Sequence, residues 1–269
     1  MFRKDPPVVP AEVQKRVISE IEKIEKENDI HIILCVEAGS RAWDLPSQDS
    51  DYDIRFIYAY PPNKYVTVDP MPEEIKLHDG ILDIHGVDLR GAFRLAVKNE
   101  PSIYEWLESE IVYKEDFDLS WIIREAASIA LDPPALARCY YGMANRTFNN
   151  DIKWIDHVKI KKYLYCLRAI LCATYILDTR QPVPLRLDSL LEYSPYETQD
   201  EIKRLMAEKG ETIDNAIMDK KYALEEQVSD QLSKLVVKMY GDFPTGSRSF
   251  DKMDKLLYEY VTSKKEQKN

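Results

Sequence analysis

The sequence predicts an α+β fold, with a mixed sheet and helices in residues 1–118 followed by an all-helical domain in residues 119–269. Two observations carry this prediction. The first half contains three apolar, β-branched segments of strand length, whereas from about residue 119 apolar residues recur at helical spacing. Prolines separate the helical segments of the second half, as expected of turns between helices.

The first half begins with an amphipathic helix over residues 11–28, because apolar residues recur there on one face. Asp88 stands where a helix N-cap is expected, and Pro101 is tolerated in the first turn of a further helix. The other predicted elements are a strand at 30–36, a loop at 37–50, a strand at 51–60, weaker strands at 65–68 and 74–77, a strand at 80–87, and helices from Leu89 and Pro101.

The second half is predicted to be helical throughout. Its segments have the period of 3.6 residues that places apolar side chains on one face. The predicted helices cover residues 119–131, 134–148, 155–178, 197–209, 213–240 and 250–263.

Charge and hydropathy narrow the class of protein. The 37 basic and 47 acidic side chains give a formal net charge of −10, which argues against a non-specific duplex binder but leaves room for a local basic groove. The N-terminal residues lack the apolar core of a signal peptide, and no apolar segment approaches the roughly 20 residues that span a bilayer. We therefore expect a soluble, cytoplasmic protein with no membrane partner.

The chemistry is concentrated in two carboxylates at the start of the second predicted strand. Asp51 and Asp53 are two residues apart, so in a strand both side chains project from one face. Two neighbouring carboxylates repel each other unless a cation neutralises them. Oxygen ligands alone favour Mg²⁺ or Mn²⁺, which also accept phosphate oxygens as ligands.

A phosphate-binding turn is predicted directly after the first strand. Gly39 permits close approach of the backbone, the Ser40 hydroxyl can bind an anion, and Arg41 adds a charged donor. A turn of this kind beside a carboxylate pair predicts a site for a metal ion and an NTP, with ATP as the first candidate.

Two divalent ions need more than two carboxylates, so a third acid is expected on a neighbouring strand. Asp83 is the first candidate, because it stands in the middle of a predicted strand between Leu82 and Ile84. Asp88 is the second candidate, although a role as helix N-cap already accounts for it. The sequence leaves both open.

Two simpler interpretations of these acids fit less well. Asp49, Asp51 and Asp53 match the opening of a calcium loop, but the obligatory glycine is replaced by Ile54 and the closing glutamate by Tyr60. A solvated acidic turn would explain Asp49 and Asp51, yet it does not explain Asp53 at the start of an apolar run.

The segments Gly39-Ser40-Arg41-Ala42-Trp43 and Asp51-Tyr52-Asp53 resemble the signature of nucleotidyltransferases of the polymerase-β superfamily. The chain is most similar to the RNA-repair-associated RlaP or YcgL-like group of bacteria and phages. The resemblance extends over residues 30–180 and includes residues 83–90, 101–107, 141–145 and 161–168. Two residues depart from the pattern of that group: Asp44 replaces a glycine and Val87 replaces a tryptophan.

The resemblance implies a polymerase-β-like catalytic domain followed by a helical domain. It implies that Asp51, Asp53 and Asp83 bind the metal and that Gly39 and Ser40 contact the nucleotide phosphates. A local surplus of positive charge in residues 151–168 adds Lys162 and Arg168 as candidate nucleotide ligands. A solvated helix face explains those two residues equally well. Trp43 either stacks on a base or anchors its loop.

The sequence thus predicts transfer of a nucleoside monophosphate from an NTP to an acceptor hydroxyl, with release of pyrophosphate. The resemblance favours an RNA end as acceptor. Three alternatives remain: AMP transfer to a protein or a small molecule, a catalytically silent nucleotide-binding regulator, and a metal-binding interaction module. The last gives Gly39 and Ser40 no purpose.

Overall fold

The computed structural model describes residues 9–241 and 250–263. Within these residues the chain divides into two compact units. The sheet unit contains residues 9–42, 51–131 and 250–263, and the helical unit contains residues 43–50 and 132–241. This division differs from the one predicted after residue 118, because residues 119–131 and 250–263 belong with the sheet and residues 43–50 with the helices.

The sheet unit is built on a five-stranded sheet in the order β3-β4-β2-β1-β5. Its strands are β1 (His31–Glu37), β2 (Tyr52–Ala59), β3 (Glu74–Asp79), β4 (Leu82–Asp88) and β5 (Val112–Glu115). Strands β2 and β4 are parallel, and the other pairs are antiparallel. The sheet is therefore mixed, which confirms the predicted fold class.

Five α-helices of the sheet unit precede residue 132: α1 (Ala11–Asn28), α2 (Gly39–Ala42), α3 (Leu89–Val97), α4 (Pro101–Leu107) and α5 (Phe117–Ala130). The apolar face of α1 packs on one face of the sheet, in a core that includes Ile54 and Phe56 of β2 and Ile84 of β4. Side chains alternate along a strand, so Asp53 and Asp83 lie on the opposite face. The hydrophobic packing of α1 thus fixes which face presents the carboxylates.

Gly86 of β4 makes the close packing of this core possible. A Cβ at Gly86 would lie 2.1 Å from the ring of Phe56, its register partner on β2. A side chain there would displace the Phe56 ring, so this position requires glycine.

The helical unit contains α6 (Pro133–Thr147), β6 (His157–Lys159), α7 (Ile160–Thr179), α8 (Tyr196–Glu211), β7 (Ile217–Asp219) and α9 (Tyr222–Met239). Helix α7 is the most buried of these, with apolar residues such as Tyr163, Leu167 and Ile170 inside. Strands β6 and β7 pair antiparallel in a two-stranded ribbon. The last helix of the chain, α10 (Asp251–Ser263), belongs to the sheet unit.

The predicted elements are largely present, and the errors fall on short segments. The weak strand at 65–68 is wrong, because a 3₁₀ helix covers Pro62–Val66. The loop at 37–50 contains the single turn α2. Strand β5 was not predicted, and the helices predicted at 155–178 and 213–240 each begin with a strand of the ribbon. Strands of three or four residues are too short to show a period.

Within the part of the chain that the structure describes, no helix combines the length and the apolar character needed to cross a membrane.

Candidate active site

The centre of the candidate site is a pair of carboxylates on adjacent parallel strands. Asp53 of β2 and Asp83 of β4 are direct register partners, so both side chains project from the same face of the sheet. The Asp53 side chain is 30 % exposed and the Asp83 side chain 45 %. Asp51 is exposed just before β2 begins. The structure thus brings together the acids that the sequence placed on separate strands.

The two carboxylates place negative charges next to each other in a partly buried position. Burial raises the pKa of Asp53; the Arg55 guanidinium opposes this rise, and the negative charges of Asp83 and Asp51 add to it. A carboxylate whose pKa is raised by burial and by nearby negative charges is less stable in its charged form than it would be in water. A divalent cation at the pair would remove this penalty.

Arg55 bridges the two carboxylates. Its Nη2 donates to Asp53 Oδ1 at 2.9 Å and to Asp83 Oδ2 at 2.7 Å, while Nη1 donates to the Asp83 carbonyl at 2.8 Å and the Ile54 carbonyl at 3.1 Å. The two bonds from Nη2 engage one oxygen of each carboxylate and thereby orient the second oxygen of each. Sequence reasoning missed Arg55, although its position two residues after Asp53 places it on the same face.

Glu37 holds the backbone beneath Asp53. Its carboxyl group is fully buried; Oε1 accepts a hydrogen bond from the Asp53 N–H at 2.9 Å, and Oε2 accepts one from the Tyr113 hydroxyl at 2.5 Å. Burial raises the pKa of Glu37 to about 7, although the two hydrogen bonds act to lower it. Sequence reasoning missed this residue as well, because the predicted loop began there.

The predicted phosphate turn lies against the carboxylate pair. Gly39 has a φ of +59°, and a Cβ on it would lie 2.1 Å from Asp53 Oδ2, so no other residue fits. The Ala38 N–H donates to the Asp53 carbonyl at 2.8 Å, which fastens the turn to β2. Ser40 is 7 % exposed in α2.

Arg41 folds back onto the start of β2. Its Nε donates to the Asp51 carbonyl at 3.1 Å, and its guanidinium carbon lies 3.8 Å from the centre of the Tyr52 ring. These contacts hold the backbone of Asp51 beside the glycine turn.

Asp88, the second candidate for the third acid, has a structural role. It is fully buried at the N-terminus of α3, where Oδ1 accepts from the Gly91 N–H at 2.8 Å and Oδ2 accepts from Arg90 Nε at 2.9 Å. Both oxygens are therefore engaged. This geometry favours Asp83 as the partner of Asp53.

Across the described ranges, no group of three or more His, Cys, Asp or Glu side chains is close enough to form a complete metal site. The pair Asp53 and Asp83 nevertheless suits Mg²⁺, which binds through one or two carboxylates and keeps water or phosphate oxygens as its other ligands. The hard oxygen donors of the pair, the raised pKa of Asp53 and the glycine beside it all fit such an ion.

The two candidates in α7 have partners inside the helical unit. Lys162 Nζ lies 3.1 Å from Asp151 Oδ2. Arg168 is 3 % exposed; its Nε donates to the Leu185 carbonyl at 3.2 Å, and its guanidinium carbon lies 4.3 Å from the centre of the Trp43 ring. The role of both residues at a nucleotide stays a prediction.

Residues 43–50 form a loop that is fixed to the helices of its own unit. The Trp43 ring packs edge-on against the Tyr165 ring, with 5.3 Å between the ring centres. The Trp43 carbonyl accepts a hydrogen bond from the Leu187 N–H at 3.2 Å. Both contacts favour the anchoring role. Asp44 has a φ of +58°. A glycine is common at such an angle; here the Asp44 carboxylate instead lies 3.2 Å from Arg186 Nη2. The ion pair explains how aspartate replaces the expected glycine.

Comparisons with known proteins agree with the resemblance seen in the motifs. A family model described as "RlaP: RNA repair pathway DNA polymerase beta family" matches residues 13–259. The "Uncharacterized protein YcgL" of Bacillus subtilis (strain 168) is 41 % identical over 166 residues, which is 61 % of this chain. The match spans 63 % of that relative, less than two thirds of its length.

Two solved structures show weaker similarity. One is a spectinomycin adenyltransferase AAD(9) from Enterococcus faecialis, with 13 % identity, a TM-score of 0.44 and coverage of 86 % of this chain and 100 % of the other. The second is a nucleotidyltransferase-like protein from Exiguobacterium sibiricum 255-15, with 12 % identity, a TM-score of 0.30 and coverage of 85 % and 75 %. Both scores are too low to establish a shared fold.

The match over residues 13–259 covers most of the chain and confirms the predicted resemblance. The chain belongs to the RlaP family, the RNA repair pathway DNA polymerase beta family, and with it to the nucleotidyltransferases of the polymerase-β superfamily.

Proposed function

We propose that the protein transfers a nucleoside monophosphate from an NTP, with ATP as the first candidate, to an acceptor hydroxyl. The acceptor oxygen forms a bond to the α-phosphorus, the bond from that phosphorus to the oxygen bridging to the β-phosphate breaks, and pyrophosphate leaves. The hydroxyl proton is released to water. The observation that carries the proposal is the register pair Asp53 and Asp83 beside the glycine turn at Gly39.

Asp53 and Asp83 would hold Mg²⁺ or Mn²⁺, with Asp51 as the exposed neighbour. The bound ion would neutralise charge on the phosphates and lower the pKa of the acceptor hydroxyl. The fit rests on the oxygen donors, the raised pKa of Asp53 and the second oxygen that each carboxylate keeps beside its bond to Arg55.

The chain's own residues position the reactants. Arg55 and Glu37 hold Asp53 from two sides, by its carboxylate and by its backbone N–H. Gly39 lets the Asp53 carboxylate lie directly against the turn, and Ser40, in the same turn, would contact a phosphate. Phosphoryl transfer depends mainly on positioning and charge neutralisation, which is what this arrangement supplies.

An RNA end is the proposed acceptor. The support is the description of the family, which assigns it to an RNA repair pathway. The net charge of −10 requires that any RNA contact be local, near the site itself. The reaction also needs NTP, which agrees with the cytoplasmic location expected from the sequence.

The test is transfer of label from each α-labelled NTP, with Mg²⁺ or Mn²⁺, into separated RNA, protein and small-molecule fractions of a cell extract. We expect label in the RNA fraction, and a loss of about 100-fold or more in Asp83→Asn, because charge stabilisation in the transition state is removed. Asp79→Asn is the matched control: Asp79 lies on β3, and its exposed pair with Arg16 is worth little.

The fractions also separate the alternatives. Label in protein or in small molecules would replace RNA as the acceptor and leave the chemistry intact. Label that persists in Asp83→Asn would contradict the proposed site. NTP binding without label in any fraction would favour a silent nucleotide-binding protein.

A further inference from the structure

Three basic side chains form a row across the sheet next to the carboxylate pair. Arg55 of β2 is the register partner of His85 of β4, and His85 is the register partner of Lys76 of β3. These residues, Arg55, His85 and Lys76, are called the basic row below. They lie side by side on three adjacent strands and project from one face.

The basic row lies on the same face as the carboxylates and at a short, fixed distance from them. Arg55 and His85 each follow the corresponding aspartate by two residues. Two residues along a strand correspond to roughly 6.8 Å. An anion bound by the row would therefore sit about one nucleotide away from a hydroxyl placed at the carboxylates.

The side chains of the basic row become more exposed towards the edge of the sheet. The exposed fraction of the side chain rises from 18 % for Arg55 to 27 % for His85 and 66 % for Lys76. Strand β3 is at the edge of the sheet in the described part of the chain. A flexible polymer can therefore enter from this edge and reach the carboxylates along the row.

Glu74 is the present counter-ion of the outer part of the row. It forms an ion pair with Lys76, and its Oε2 lies 3.6 Å from His85 Nε2. A hydrogen bond from Lys76 lowers the pKa of Glu74. Glu74 is 53 % exposed, so an incoming anion can displace it.

The glycine turn and the basic row lie on opposite sides of β2. Gly39 follows β1, whereas the row extends in the other direction over β4 and β3. The turn is thus placed for the phosphates of the NTP, and the row is left for an anion of the other reactant. An RNA end always has a phosphodiester next to its terminal hydroxyl, whereas a protein hydroxyl or an uncharged small molecule has no built-in anion at this spacing.

We propose that the basic row binds the phosphodiester next to the terminal hydroxyl of a single-stranded RNA acceptor. The phosphate then takes the place of the Glu74 carboxylate beside Lys76 and His85. This inference rests on the proposed function and names the residues that would recognise its acceptor. It also offers a way for an acidic protein to bind RNA, since the contact is confined to a few side chains beside the site.

The experiment measures binding of a short, fluorescently labelled single-stranded RNA to the full chain by anisotropy, with Mg²⁺ and without NTP, at several salt concentrations. Lys76→Met should weaken binding about two- to fivefold, as for one exposed charge contact. It should also reduce the slope of log K against log salt by about 0.7. Glu74→Gln should tighten binding, because the competing carboxylate is gone.

Lys23→Met is the matched control. Lys23 is 60 % exposed and lies 4.0 Å from Glu20, much as Lys76 lies beside Glu74, but it is on α1, which covers the other face of the sheet. Its replacement should change neither the affinity nor the salt slope.

A second RNA separates the terminal phosphodiester from other phosphates. In this RNA the last internucleotide linkage is an uncharged methylphosphonate. The wild type should bind it more weakly than ordinary RNA, and Lys76→Met should distinguish the two RNAs less than the wild type does. Competition with ATP should not depend on Lys76, since the nucleotide phosphates are assigned to the glycine turn.

Three outcomes would overturn the inference. Equal binding of both RNAs by the wild type would mean that the terminal phosphodiester is not recognised. Equal behaviour of Lys76→Met and Lys23→Met would exclude the basic row. Failure of the wild type to bind RNA, in a sample that still binds ATP, would exclude both the row and RNA as acceptor while leaving nucleotidyl transfer to another acceptor open.

Discussion

Two clusters of acidic and basic side chains, one in each unit, have opposite electrostatics. In the sheet unit, Asp53 and Asp83 lie side by side with one arginine between them, and the pKa of Asp53 is raised. In the helical unit, Asp214 lies between Lys161 and Lys209. Burial acts to raise the pKa of Asp214, but the hydrogen bonds and charges of the two lysines lower it overall.

We interpret the sheet cluster as the candidate site and the helical cluster as structural. In the helical cluster the charge of Asp214 is compensated, although burial lowers the pKa of Lys209. Lys209 is 1 % exposed, and its Nζ lies 3.2 Å from Ser47 Oγ and 3.4 Å from Asp214 Oδ1. The sheet cluster keeps like charges together at partial exposure, which costs stability unless a ligand uses them. A pKa shift caused by burial and by neighbouring like charges, as for Asp53, is typical of functional sites.

The largest effect on stability is expected from Lys209. Lys209→Ala leaves Asp214 with one buried cation fewer and opens a cavity, so we expect a loss of about 2–3 kcal/mol in the free energy of unfolding. Urea unfolding measures this change. Lys203→Ala on the same helix is the control, because Lys203 is 46 % exposed and should change the free energy by less than about 0.5 kcal/mol.

A second variant, Lys209→Met, separates the effect of the lost charge from that of the cavity. It removes the charge but keeps most of the volume, so its difference from Lys209→Ala isolates the cavity. If Lys209→Ala lowered the free energy of unfolding no more than Lys203→Ala does, the helical cluster would not be a stabilising structural cluster.

A smaller effect is expected in the pH dependence of stability. The folded-state pKa of Asp214 is lowered, so its contribution to stability is present above the unfolded value of about 3.9 and is lost as the pH falls through the folded value. The free energies of unfolding of wild type and Asp214→Asn should therefore differ near neutral pH and converge in acid. Urea unfolding at a series of pH values measures the difference, and a gap that stays constant into acid would contradict the assignment.

The sequence predicted the elements of the site but not the contacts between them. Apolar runs placed Asp53 and Asp83 on strands, since each run marks a buried strand. Their direct pairing depends on the register of two parallel strands, which no local pattern encodes. Arg55 and Glu37 were missed for the same reason, because their roles arise only when β2 meets β4 and β1.

The loop at 43–50 shows a second limit of local reasoning. Its sequence predicts a polar connection, yet its residues are held by the helical unit through bonds such as Gln48 N–H to the Thr212 carbonyl at 3.1 Å. The partner is more than a hundred residues away, so no window of sequence contains both. Asp44 in a left-handed conformation is explained only when Arg186 is seen beside it.

The most direct test of the central claim is thermal unfolding with and without Mg²⁺ for wild type, Asp53→Asn and the control Asp79→Asn. The carboxylate pair is expected to bind the ion, so Mg²⁺ should raise the Tm of wild type and control but not that of Asp53→Asn. In chelator, Asp53→Asn should be at least as stable as wild type, because one of two repelling charges is gone. An equal rise in Tm for all three proteins would contradict a cation site at Asp53 and Asp83.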